Sequence, residues 1–350
     1  MYPTQKSKII WAIDPSHSPE DSKQIINELK IWSHHLSCEI QPVSVFSLVS
    51  SVLTLNIDLS WNENYQLFAQ NLMTQFLKDI EIKNLLKPKL LFVKTLSTRR
   101  LAKELAIYAE KSKATLIVAH TKNRKTTNPF RIGSFSETLM ATAKVPVLLL
   151  NQKTKSSNKI PTILFPTDFS LKSKNALKNL IPFAKTFNSS ILLYNQIEFP
   201  NLYMSDFSEI RNANSLNFNA LMDEAEKMRQ NKARKWQNFL KKEKISSKVI
   251  TKRQIKYLAN EIIEIAEENK VNLIAIGTNS GPMIQSLLGS VTKDILSEAS
   301  CPVLIFHKPK VIRKHKPLDK TDKTTENHQK RASLKNKKDS VTDEKFIISS

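Results

Sequence analysis

Short runs of Ile, Val and Leu with few charges recur along the chain, separated by longer stretches whose apolar residues return with helical spacing. Runs of the first kind suit strands buried on both faces of a parallel sheet, because neither face has to meet water. They place strands near 8–13, 38–44, 89–95, 115–119 and 146–150, and again near 162–166, 190–195, 247–251, 271–276 and 302–306. In the later set, helices are expected near 171–187, 216–243, 257–269 and 289–299. Alternation of this kind implies right-handed crossovers and a doubly wound, mostly parallel sheet.

The two sets of runs match. KIIWAID ends on Asp14, and PTILFPTD ends on Asp168. ATLIVAH, from Ala114 to His120, parallels VNLIAIG, from Val271 to Gly277, and RIGSFSETLMATAKVPVLLL parallels LLGSVTKDILSEASCPVLIF. The offset is 154 for the aspartates and 156 for the Gly-Ser pairs and the Pro-Val elements. Landmarks in one order at a nearly constant offset mark a duplication. The fold expected is therefore α/β, two tandem doubly wound parallel five-stranded sheets. The domains are set at 6–152 and 160–308. The polar stretch Asn151–Lys159, NQKTKSSNK, is read as a linker, bounded at 153–159. Glu198–Asn217 reads as an irregular insertion ahead of a long helix, with a long counterpart over roughly Phe46–Glu63.

Composition changes this picture little. A chain of 350 residues suits two ordinary domains. No apolar run reaches the roughly 18 residues of a membrane helix, and MYPTQKSKIIWAID carries no signal-type apolar region. Cys38 and Cys301 lie far apart without metal-like spacing, which fits a reducing compartment. The expectation is a cytoplasmic protein without a membrane partner. The net charge of +22 is spread over both halves; it reads either as a solvated basic surface or as attraction to polyanions. The segment 309–350 is rich in Lys, Asp, Thr and Asn and nearly lacks large apolar residues, so it is expected to be a disordered basic tail. Its KHK and LKNKK clusters would touch nucleic acid only weakly and in a salt-dependent way.

Glycine is scarce. The chain holds four, Gly133, Gly277, Gly281 and Gly289, where average usage would give about 24. All four lie between the fourth strand and the fourth helix of a half. The expectation is a backbone requirement there, either positive φ or close approach of a ligand to the main chain. A strand, a glycine-bearing loop and a helix N-terminus together form an anion site, at the carboxyl ends of the strands.

The second half resembles the universal stress protein family. FPTDFS at Phe165–Ser170, GTNSGPMIQSLLGSVT at Gly277–Thr292 and CPVLIF at Cys301–Phe306 carry the likeness. ATP-binding members carry a G-x2-G-x9-G-S/T pattern. Here Ser280 holds the second glycine's place, Gly281 follows, and the spacing is G-x3-G-x7-G-S. The resemblance implies nucleotide contact by Thr167, Asp168, Ile276, Gly277, Gly281, Gly289, Ser290, Val291 and Thr292, with ATP and Mg²⁺ as the ligand. An Asp168 carboxylate can accept from a ribose hydroxyl or an adenine amino group. It can equally cap a turn ahead of Phe169–Lys172, and Ser290 can equally cap a helix.

The first half resembles the family less closely. Asp14, Gly133 and Ser134 match, but His120 and Asn123 replace glycines, beside Lys122, Arg124 and Lys125. This loop reads either as one that no longer takes nucleotide or as a basic loop for another anion. Phe130, Met283, Leu287 and Leu288 read as core residues of the loops or as a partner surface. Family domains pair through the fifth strand. The resemblance thus implies an intramolecular pseudo-dimer through VPVLLL and CPVLIF, with Pro146 and Pro302 starting edge strands, and allows a further homodimer. No phosphate-loop motif, nucleophile elbow or paired carboxylates indicate an enzyme, and whether a bound ATP is slowly hydrolysed is not written in the sequence.

Overall fold

Each half lays down its strands where the apolar runs fall, because two helical layers must cover the sheet from both sides. A computed structural model describes residues 7–15, 22–49, 59–121, 133–157, 159–197, 218–253, 256–277 and 289–306. In the first half β1 (Lys8–Ala12), α1 (Lys23–Leu36), β2 (Glu39–Ser47), α2 (Leu59–Leu77), β3 (Lys89–Val93), α3 (Thr98–Lys111), β4 (Leu116–His120), α4 (Ser134–Thr142) and β5 (Val147–Leu150) follow in order. In the second, β6 (Thr162–Pro166), α5 (Leu171–Thr186), β7 (Ser190–Ile197), α6 (Phe218–Lys242), β8 (Ser247–Arg253), α7 (Leu258–Glu268), β9 (Leu273–Gly277), α8 (Ser290–Glu298) and β10 (Val303–Phe306) repeat the pattern. The strand and helix runs read from sequence sit where expected, with ends displaced by up to three residues. The exception is Phe46–Glu63, whose ends belong to β2 and to α2. The Glu198–Asn217 insertion and the 309–350 tail lie outside the described residues.

The strands form one sheet in the order β3-β2-β1-β4-β5-β10-β9-β6-β7-β8. Within each half every neighbour is parallel. The one antiparallel contact joins the halves, with Val303, Leu304 and Ile305 opposite Leu149, Leu148 and Val147. Leu148 and Leu304 are themselves 156 residues apart, so the repeat's two-fold passes through this pair. Strands β5 and β10, edge strands within their own halves, are therefore central, and all eight of their residues are buried. The free edges are β3 and β8, which carry Lys89 and Lys248, Lys252 and Arg253.

Side-chain alternation divides the core. Ile9, Trp11, Leu148, Phe165, Leu193, Leu304 and Phe306 face α1, α2, α5 and α6. Ile10, Ile117, Leu149, Leu164, Ile274 and Ile305 face α3, α4, α7 and α8. Both layers run unbroken across the junction. On the first face Trp32 of α1 packs on Phe183 of α5 and on Phe187 at its C-terminal cap, at ring centroid distances of 5.8 and 4.7 Å.

The stretch read as a linker is packed rather than free. Asn151 is buried, and its Nδ2 donates to the carbonyls of Leu296 and Ala299, both at 2.9 Å. These are orphan acceptors at the end of α8, which a helix cannot satisfy from within. Thr154 is also buried, and the Lys155 amide donates to the Ser300 carbonyl at 2.8 Å. The polarity of this segment serves to cap the neighbouring half's last helix. Beneath it, Glu28 is 2% exposed. Burial pushes its carboxyl up to about 7, against the smaller opposing pull of hydrogen bonds with Ser156 and with Trp32 Nε1, the latter at 3.1 Å.

Two predictions arise from the junction. Between about pH 4.5 and 7 the unfolded chain releases the Glu28 proton while the folded chain keeps it, so stability falls as pH rises through that window. Glu28→Gln is expected to change little near the bottom of the window and to stabilise the protein by roughly 1–3 kcal/mol above it, measured by urea denaturation across pH. The second concerns Glu137 and Lys293, which sit 156 residues apart at matching places on α4 and α8 and pair at 2.9 Å. Lys293→Glu sets like charges together and should lower Tm by about 1–3 °C, a loss that Glu137→Lys in the same chain restores.

Candidate functional site

In the second half the strand order turns at β6, with β7 and β8 on one side and β9 and β10 on the other. Strands β6 and β9 pair only through Ile163–Leu273 and Leu164–Ile274. Beyond that point β6 stays with β7 as far as Pro166–Tyr194, and β9 stays with β10 as far as Gly277–Phe306. The carboxyl ends of β6 and β9 thus part at the switch point, the place where open α/β sheets take ligands. Thr167 and Asp168 stand on one side, and Ile276 and Gly277 on the other.

The turn from β6 into α5 is held from all directions. Thr167 Oγ1 accepts from the Phe169 amide at 2.9 Å, and Asp168 Oδ1 accepts from the Ser170 amide at 2.9 Å and from Ser173 Oγ at 2.5 Å. Ser170 then caps α5 by accepting from the Ser173 amide. Phe169 has φ 56°, a left-handed conformation that costs a bulky residue on the order of 1–2 kcal/mol. Its ring is buried edge-on against Trp236 at 5.3 Å, which helps to fix it there. The Asp168 side chain lies at the surface. Partial burial pushes its carboxyl up, but the hydrogen bonds from Ser173 and Ser170 outweigh this and hold it below the usual carboxylate range. It therefore fills the turn-capping role and stands as an ionised acceptor at the crevice.

At the start of α8, Gly289 and Ser290 are exposed, Val291 and Thr292 half-buried. The helix has no side-chain cap, and neither the Ser290 nor the Thr292 hydroxyl bonds to another described residue. Ser290 is thus not the cap that one reading made it. Helix N-terminal amides, the positive end of the helix dipole and two hydroxyls are the kind of donor set an oxyanion requires, although the Thr292 amide already donates to the Gly289 carbonyl at 3.0 Å.

The glycines call for a correction. No described glycine has positive φ. Gly277 is required for packing, because a Cβ there would lie 2.3 Å from Ala176 Cβ on α5. It allows helix and strand to meet closely, a need that arises without any ligand. Gly289, at φ −57° and ψ 151°, has an ordinary backbone, and an added Cβ would meet nothing within 4 Å. Gly281, Ser280, Met283, Leu287 and Leu288 lie outside the described residues.

In the first half the equivalent places are partly described. His120 ends β4 and its carbonyl accepts from Ser136 Oγ at 2.7 Å. Gly133 precedes α4 with φ −66°, its amide bonded to the Thr121 carbonyl at 2.9 Å. Asp14 lies two residues past the end of β1, whereas Lys122, Asn123, Arg124, Lys125 and Phe130 lie outside the described residues.

Two residues at the second mouth escaped the sequence reading. Asn195, 3% exposed near the end of β7, donates from Nδ2 to the Thr167 carbonyl at 2.8 Å, and its Oδ1 has no hydrogen-bond partner among the described residues. Arg229 of α6 donates from a guanidinium nitrogen to the Asp168 carbonyl at 2.7 Å. Its signal was present in the sequence: Met222, Arg229 and Trp236 are successive heptad positions, so a cation interrupts an apolar stripe. Among the described residues no three His, Cys, Asp or Glu side chains converge on a metal position, and no helix is long and apolar enough to cross a membrane.

Comparison with known proteins agrees with this architecture. The model of the universal stress protein family matches residues 74–151 and again 159–307, so the chain belongs to that family and carries its domain in tandem. Universal stress protein MJ0531 of Methanocaldococcus jannaschii is 32% identical over 154 residues, spanning 42% of this chain and 82% of its own. Universal stress protein MJ0577 of the same organism is 30% identical over 149 residues, 41% of this chain and 92% of its own. The crystal structure of a universal stress protein from Archaeoglobus fulgidus shares the fold over 87% of this chain and 97% of its own, with a TM-score of 0.58 at 17% identity.

The two glycines should separate by stability. Gly277→Ala is expected to lose roughly 1–3 kcal/mol to overpacking, partly recovered when Ala176→Gly removes the opposing methyl. Gly289→Ala should lose no more than about 1 kcal/mol, the difference between two residues at a helix N-cap. Thermal melts of the three variants check both.

Proposed function

We propose that the second half binds ATP or a related nucleotide and that this cytosolic protein acts in stress response through the conformation or partner choice that binding sets. Two observations carry it: an ionised, turn-held Asp168 at the switch point, and a following helix, α8, whose N-terminus has no side-chain cap among the described residues. Asp168 and Thr167 would face the nucleoside, with Ile276 and Gly277 beneath it. The α8 amides with Ser290, Val291 and Thr292, and Gly281 from the loop before them, would hold the phosphates. Mg²⁺ would arrive with the triphosphate, where it neutralises phosphate charge. The β5–β10 pairing supports reading the two halves as an intramolecular pseudo-dimer, with the first half as its structural partner.

Titration calorimetry with ATP and Mg²⁺ tests the proposal. Binding at sub-millimolar ATP is expected, with at least a tenfold loss in Asp168→Ala and in Gly289→Val. Gly289→Val is informative because the backbone there is ordinary and no described atom opposes the new side chain. A loss of binding without loss of fold would then report on ligand approach. No heat and no thermal shift for wild type at millimolar ATP would leave a nucleotide-free scaffold as the function of this fold.

A further inference from the structure

Helix α6 buries Met222, Ala233, Trp236 and Leu240 along one stripe against the sheet. Continuing that stripe by heptads from Trp236 toward the N-terminus reaches Arg229 and then Met222. An arginine at such a place lays its stem along the stripe and carries its head out to the surface, where it can find a polar partner. The Arg229 head reaches the end of the sheet and donates to the Asp168 carbonyl at 2.7 Å. It forms no ion pair with the Asp168 carboxylate, which is already engaged by Ser170 and Ser173.

The two peptide carbonyls of the turn are thus taken from two separate elements. Asn195 of β7 holds that of Thr167, and Arg229 of α6 holds that of Asp168. Immediately after them the chain passes into the left-handed conformation of Phe169. Such a conformation persists only where its surroundings over-determine it. The Asp168–Phe169 peptide, whose carbonyl Arg229 grips, is the one that must stay fixed for Phe169 to keep φ 56° and for the carboxylate to keep its aim.

We propose that Arg229 is a positioning residue of the nucleotide site, fixing the β6–α5 turn from α6 so that the Asp168 carboxylate faces the crevice. This rests on the nucleotide reading of that crevice. Helix α6 thereby enters the site through one hydrogen bond, without touching the ligand.

The test uses the full chain with Arg229→Met, which keeps most of the stem, and Arg229→Lys, which keeps one donor. Three quantities are measured: ATP affinity with Mg²⁺ by calorimetry, Tm, and amide hydrogen exchange of the 167–175 segment without nucleotide. For Arg229→Met the expected result is ATP binding weakened about tenfold, in line with loss of a charge-assisted hydrogen bond. Tm should stay within about 2 °C of wild type, and Ser170 and Ser173 amides should exchange several-fold faster. Arg229→Lys should recover part of both losses. Wild-type affinity together with unchanged exchange in Arg229→Met overturns the proposal. So does a loss of affinity that merely follows a large fall in Tm and is not recovered by Arg229→Lys. If Arg229→Met does not fold, Arg229→Lys decides: a smaller loss of affinity with faster exchange supports the proposal, and wild-type values in both overturn it. If wild type binds no ATP while exchange still rises in Arg229→Met, the nucleotide reading fails and the clamp on the turn stands by itself.

Discussion

The antiparallel contact between β5 and β10 is the constraint on which the architecture depends. Taken alone, each half ends in a wholly apolar strand whose outer backbone groups have no partner, an arrangement that soluble proteins avoid. Setting Leu148 against Leu304 gives both strands a second neighbour at once. Everything else at the junction builds on that register. The aromatic contact of α1 with α5, the capping of α8 by Asn151 and the pairing of Glu137 with Lys293 all require the two halves at this angle and height.

Much of this was legible in the sequence. Uncharged aliphatic runs could become only buried strands, and their repetition at a constant offset gave two like halves. What stayed hidden had physical reasons. Polarity in Asn151–Lys159 looked like exposure, because sequence does not reveal that the acceptors to be capped lie about 145 residues away on another helix. The start of α2 was lost in the polar letters ahead of Tyr65. The scarcity of glycine was noticed correctly but explained too uniformly. Gly277 answers to Ala176, a neighbour about a hundred residues earlier that no local pattern could indicate. At the site, Asp168 and the Gly289–Thr292 helix start were visible as motif letters, whereas Asn195 and Arg229 act through backbone carbonyls that any residue type could supply.

The second mouth is rigid at one of its turns. The β6–α5 turn is fixed by hydrogen bonds from β7, from α6 and from its own side chains, and by a buried ring. The start of α8 has no side-chain cap among the described residues. The turn is thus held in one conformation by the protein alone, the kind of pre-organisation that lowers the ordering cost of binding.

The continuous sheet also bears on how this gene can change. Sequence drift in Val147–Leu150 would uncover β10 and reach the second half as well. Natural selection thus has reason to keep one short strand of the first copy for the sake of the second, and a duplicated domain can persist as an obligate neighbour.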